Sequence, residues 1–155
     1  MRAIKYRGKK FNNEWVYGSL ITDKSVNVIG EEFDVAFITG NLPYHEDSGE
    51  VWLKKMRRVK TYTIGQYIGW HDKNGQEIYE GDIIRDETEP TGNNELGVVV
   101  YDEQKAMFAL LFKDKHNPIN YGLYDCKQNE LEIIGNIHDN PGLLNPKLSP
   151  SCLKK

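Results

Sequence analysis

Residues Thr63–Arg85 read TIGQYIGWHDKNGQEIYEGDIIR, and the fold is decided in this stretch. Gly65–Trp70 and Gln76–Tyr79 are strand-like runs on either side of Asp72-Lys73-Asn74-Gly75. Asn and Gly tolerate positive φ at low cost, so Asn74-Gly75 is expected to form the type I′ turn of a β-hairpin. Glu80-Gly81 makes a corner, and Asp82–Arg85 begins the next strand. Beyond the polar loop Glu87–Glu95, further strands are expected at Gly97–Tyr101, Met107–Phe112, Tyr121–Cys126 and Leu131–Ile137. Five short strands of this kind predict a small SH3-like barrel from about Asp82 to Ile137, since closing a sheet removes its exposed edges.

Toward the N-terminus, Ala3–Arg7 alternates apolar and charged residues and Lys9–Asn13 supplies a polar turn. Glu14–Ile21 then resumes with Trp15, Val16, Tyr17, Leu20 and Ile21, so the first element is expected to be a hairpin. Val26–Ile29 and Phe33–Ile38 read as two more strands around Gly30, with Phe33, Val35 and Phe37 on one face. Asn41–Glu50 (NLPYHEDSGE) reads as an exposed loop or internal boundary and Asn145–Lys155 as a flexible tail. The fold class is therefore all-β, with two small β subdomains in one unit over residues 1–145. An N-terminal part spans 1–60, and the hairpin plus barrel spans 61–140.

Composition agrees with a folded, β-rich body. Of 155 residues, 39% are hydrophobic, 28% are charged, and nine are Tyr; a chain of this length buries about 68–70% of its unfolded surface. Cys126 and Cys152 cannot build a disulfide framework, and Met1–Lys10 does not read as a leader. No apolar run approaches the roughly 18–20 residues of a membrane helix, so a soluble cytoplasmic protein is expected. The net charge of −3 conceals an asymmetry. Residues 1–60 hold eleven Lys and Arg against eight Asp and Glu, whereas residues 61–155 hold nine against fifteen. Two short runs free of acids, Arg2–Lys10 and Lys54–Lys60, carry half of the cations.

Four blocks in order, IKYRGKKFNNEWVYGSLI, TIGQYIGWHDKNGQEIYEGDIIR, GVVVYDEQKAMFAL and LEIIGNIHDNPGLL, resemble the YopX family of phage and prophage proteins. The second and fourth are the specific ones, because each is a long ordered string. Trp70-His71 departs from the expected pattern of a smaller apolar residue followed by a polar one. The resemblance implies an all-β protein of a phage or prophage whose molecular function is uncharacterised. It carries over no catalytic residues.

The residues themselves assemble no enzyme. His45, His71, His116 and His138 are scattered and lack zinc-ligand spacing. Asp72–Gln76 places its glycine at the fourth rather than the sixth position of a calcium loop. Gly65-Gln66-Tyr67-Ile68-Gly69 lies within a strand pattern and so lacks the helix N-terminus of a phosphate cradle. Asp82 is expected to satisfy turn N–H groups. No cofactor and no metal are expected.

Two surfaces remain. Tyr67, Trp70, His71 and Tyr79 are candidate partner-binding residues, whose aromatic side chains are expected to be exposed and to anchor a protein contact. Lys54, Arg58 and Lys60 share one face of a basic strand and are the candidate nucleic-acid-binding residues of an alternative reading, with Tyr6, Phe11 and Trp15 as nearby stacking platforms. About three phosphate contacts make only a weak, salt-sensitive site. The leading expectation is a non-enzymatic interaction module that binds an unknown protein partner, itself, or both. Self-association is expected from the charge asymmetry.

Overall fold

The computed structural model describes residues 3–40, 55–86, 96–113, 118–123 and 126–144. The protein is all-β. Its described strands are β1 Tyr6–Lys9, β2 Trp15–Val26, β3 Glu32–Thr39, β4 Met56–Val59, β5 Gly65–His71, β6 Glu77–Tyr79, β7 Asp82–Asp86, β8 Leu96–Asp102, β9 Met107–Lys113, β10 Pro118–Gly122 and β11 Leu131–Asn136. Two compact units, Met1–Tyr67 and Ile68–Lys155, divide the chain inside β5. The Asn41–Glu50 loop, the Glu87–Glu95 loop and the Asn145–Lys155 tail lie outside the described residues.

The first unit is an antiparallel sheet in the order β4-β3-β2-β1, and the start of β5 pairs with β1, Gly65 opposite Arg7 and Gln66 opposite Tyr6. Its core is small: Ala36, Ile38 and Val59 are buried, with Tyr6, Val16, Leu20 and Ile64 packed on them. A Cβ at Gly8 would stand 3.1 Å from both Ile38 Cδ1 and Val59 Cβ. Gly18 is tighter still, with φ +152° and a virtual Cβ 2.0 Å from the Thr39 carbonyl oxygen. No side chain fits there, which lets β2 and β3 approach as they do.

Three hairpin loops share one construction. Residues 10–14, 27–31 and 72–76 are each closed by a hydrogen bond from the first N–H to the fifth carbonyl and another from the fourth N–H to the first carbonyl. The fourth residue is left-handed in each: Asn13 at φ 68°, Gly30 at 87° and Gly75 at 81°. This is a type I turn completed by one left-handed residue. The type I′ turn expected at Asn74-Gly75 is thereby corrected, because Gly75 alone takes positive φ. The Asp72 carboxylate, accepting the Asn74 and Gln76 N–H groups at 2.8 and 2.9 Å, favours this longer loop.

The same construction corrects the strand expected at Val26–Ile29. β2 is one continuous strand of twelve residues, paired with β3 from Ser19 opposite Thr39 to Val26 opposite Glu32. The chain then turns because Asn27 Oδ1 accepts the Ile29 and Glu31 N–H groups at 3.1 and 2.9 Å. Phe33, Val35 and Phe37 do alternate along β3, opposite Ser25, Asp23 and Ile21.

In the second unit, β5 and β6 are neighbours, and the strands from Asp82 onward form a five-stranded antiparallel sheet in the order β10-β9-β8-β7-β11. Among the described residues this sheet does not close, so the expected SH3-like barrel is not confirmed. The outer edge of β11 is already occupied: Leu131 O accepts the Lys73 N–H at 2.8 Å, and the Ile133 N–H donates to Asp72 Oδ2 at 3.2 Å. A β-bulge between Ile133 and Gly135 shifts the register of β11 against β7. The last expected strand before β11, Tyr121–Cys126, lies earlier, at Pro118–Gly122, and Cys126 instead donates its N–H to Leu123 O in a turn. The core consists of Ile68, Ile78, Ile84, Val99, Leu110, Leu123 and Leu131.

Candidate functional site

The four aromatic-strand residues do not form one surface. Tyr67 and Tyr79 are buried, at 6% and 2% relative exposure, which corrects the expectation that they stand in solvent. The Tyr67 N–H donates to Lys5 O and its ring carries the Lys5 ammonium 4.7 Å from the centroid. Tyr79 donates its backbone N–H to Asp82 Oδ2 at 2.8 Å and its hydroxyl to Glu77 Oε2 at 2.7 Å. A tyrosine whose polar tip finds a partner is stable inside, as the Tyr79 hydroxyl does on Glu77. Trp70 is half-buried against the core of the second unit, and His71 is exposed.

Of the basic residues, Lys54 lies outside the described residues. Arg58 is exposed on the edge strand β4 opposite Phe37, with its guanidinium 5.5 Å from the Phe11 ring centre and 6.0 Å from that of Phe33. Lys60 is half-buried and its ammonium donates to Asn13 Oδ1 at 2.7 Å. The N-terminal cations follow the same pattern. Arg7 and Lys9 are buried on the Trp15 ring at 4.8 and 5.3 Å. Aromatic faces thus stabilise these cations by cation–π attraction, and much of the basic run is spent inside the unit.

The feature that sequence reasoning missed is the β2–β3 arm. Every residue from 21 to 34 is exposed except half-buried Ser25. Val26, Val28, Ile29 and Phe33 show 60%, 103%, 75% and 40% of their surface. Turn tips normally hold Gly, Asn, Asp, Ser or Pro, whereas this one presents Val28-Ile29 between Asn27 and Gly30. The arm is also acidic, with Asp23, Glu31, Glu32 and Asp34 against Lys24, which pairs with Glu32 at 3.3 Å. The signal in the sequence is two adjacent β-branched residues inside an Asn-x-x-Gly turn, Asn27-Val28-Ile29-Gly30, whose composition resembles a strand.

At the other end of the same two strands lies a groove of about 440 Å³ lined by Trp15, Val16, Tyr17, Ile38, Gly40, Lys55 and Arg57. Its walls are apolar and aromatic and its two charges are both positive.

Two buried carboxylates of the second unit, Asp72 and Asp82, accept backbone N–H groups. Asp72 accepts the Asn74, Gln76 and Ile133 N–H groups. Burial acts most strongly on its pKa and raises it, but the hydrogen bonds from Gln76, Ile133 and Asn74 together hold it below the ordinary carboxylate value. Asp82, 1% exposed, takes the Tyr79 N–H. Glu132 joins Lys73 and Arg85 at 3.2 and 3.1 Å. Among the described residues, no group of three or more His, Cys, Asp and Glu is placed to hold a metal ion, and no helix is long and apolar enough to cross a membrane.

The family model described as YopX protein matches residues 5–145. Among solved structures, the chain is similar to the crystal structure of protein EF1440 from Enterococcus faecalis. The two share 22% identity over 93% of this chain and 99% of that one, at a TM-score of 0.47. No curated protein matches the chain.

Proposed function

The chain belongs to the YopX protein family, and from that premise we propose a non-enzymatic, phage- or prophage-encoded interaction module of the host cytoplasm that engages a protein partner through its β2–β3 arm. One observation carries this reading: the arm shows Val26, Val28 and Ile29 to solvent at 60–103% of their surface. A two-stranded ribbon is marginal alone in water, and adjoining apolar residues exposed together are the kind of surface that marks a contact site. The commitment of the Asp72 and Asp82 carboxylates to backbone N–H groups supports a non-catalytic role. The test is capture from prophage-induced cells with the wild-type chain, a Val28→Asp/Ile29→Asp chain and a Lys127→Ala surface control. The reading expects a bound protein retained by wild type and control and lost by the arm variant; identical captures by all three refute it.

A second reading, a nucleic-acid-binding accessory protein, is favoured by the exposed Arg58 guanidinium near the Phe11 and Phe33 rings. A single exposed stacked arginine predicts weak, salt-sensitive binding. A gel-shift series removes this reading if no complex forms at low salt.

A further inference from the structure

We infer that the arm docks into the basic-rimmed groove of a second copy of this chain, reciprocally, forming a dimer. The inference rests on the arm being the binding element and names what it binds.

The two surfaces complement one another in shape class and charge. The arm ends in a convex apolar tip, Val28-Ile29, flanked by Glu31, Glu32 and Asp34. The groove has apolar walls at Trp15, Val16, Tyr17 and Ile38, and Lys55 and Arg57 supply cations at its rim. Seating the tip removes β-branched surface from water, and the neighbouring carboxylates come near the two cations. The aromatic walls suit an apolar anchor of this kind.

The contact has to be made between copies. β2 and β3 remain paired without a break from Ser19 opposite Thr39 to Val26 opposite Glu32. At about 3.3 Å per residue, the tip therefore stands roughly 25–30 Å along the ribbon from the groove. A paired ribbon does not fold back on itself over that span, so an arm cannot reach its own groove. Each copy carries one arm and one groove at opposite ends of the same ribbon. Two ribbons laid antiparallel therefore satisfy both contacts around one twofold axis and close the assembly at two copies.

The full chain is tested in two ways. First, sedimentation across micromolar to millimolar concentrations compares wild type with Val28→Asp/Ile29→Asp and Arg57→Glu. The wild type should dimerise, the arm variant should be monomeric, and Arg57→Glu should weaken the dimer by about tenfold. Adding Glu31→Lys/Asp34→Lys to the Arg57→Glu chain should recover part of that loss. Second, in a Cys126→Ala/Cys152→Ser background, chains bearing Ile29→Cys are mixed with chains bearing Lys55→Cys and mildly oxidised. A mixed disulfide should form, and should not form when Lys127→Cys replaces Lys55→Cys.

A monomeric wild type overturns the inference, as does a dimer that survives the arm substitutions or a disulfide formed equally at the control site. If the wild type is monomeric while the arm variant still loses a captured protein, the inference fails and the arm reading stands. If the arm variant changes neither assembly nor capture, both fail.

Discussion

Asp72 shows how much one side chain carries in this protein, because it shapes the 72–76 loop and also reaches across to the Ile133 N–H of β11. Its pKa in the folded state is depressed, so its contribution is complete above the unfolded value of about 3.9 and is lost as pH falls through the lower folded value. Asp72→Asn should therefore lower stability at pH 7 and flatten the acid limb of a melting-temperature profile between pH 5 and 2, both relative to wild type. Asp72→Ala leaves three N–H groups without this acceptor and should cost on the order of 2–3 kcal/mol by urea unfolding. Gly18→Ala should be at least as damaging, about 2–4 kcal/mol, since its Cβ would fall 2.0 Å from the Thr39 carbonyl oxygen at a φ that disfavours a side chain. A Gly18→Ala chain that melts with the wild type would show that β2 and β3 do not approach this closely. The need for glycine at Gly75 was legible from the Asn-Gly dipeptide; the need at Gly18 was not, because it depends on a strand twenty residues further along.

At the scale of elements, the ribbon β2–β3 and the loop that ends it govern behaviour. Asn27 holds the tip with its side-chain oxygen on two N–H groups and its amide on Glu31 Oε2. Asn27→Ala should loosen the arm by about 1 kcal/mol, read as faster hydrogen exchange at residues 21–34 with unchanged protection in β8 and β9. Val28→Asp/Ile29→Asp should leave the stability of the single chain, measured at concentrations too low for self-association, within about 0.5 kcal/mol, because both side chains are exposed there. The hairpin at 72–76 was readable from its local turn chemistry. The one at 27–31 was misread because Val26–Ile29 has strand composition, and a side chain's capping of the turn outweighs that propensity. Tyr67 and Tyr79 show the complementary failure, since aromatic residues in a strand identify the strand and not the face that becomes buried.

For the whole molecule, charge and the presence of two separate cores make the useful predictions. Each unit has its own apolar cluster, so Ile38→Ala should reduce amide protection chiefly in β2–β3 and Leu110→Ala chiefly in β8–β9, each costing about 2–5 kcal/mol. The groove has only cations at its rim and the arm has an excess of acids, so raising salt from about 0.05 to about 0.5 M should weaken self-association measured by sedimentation. The sequence by itself determined the all-β class, the hairpins around 10–14 and 72–76 and the uneven distribution of charge, and its four ordered blocks pointed to the family. Class, hairpins and charge follow from side-chain alternation, turn chemistry or formal charge over a few neighbouring residues, and the family from the resemblance of the four blocks. Tertiary structure decided which aromatics are buried, that Arg7 and Lys9 are buried on the Trp15 ring, and that a long ribbon ends in an exposed apolar tip. Those outcomes depend on which strand lies beside which: β1 sets Arg7 and Lys9 beside Trp15 of β2, and among the described residues β2 and β3 have no further strand paired along 21–34.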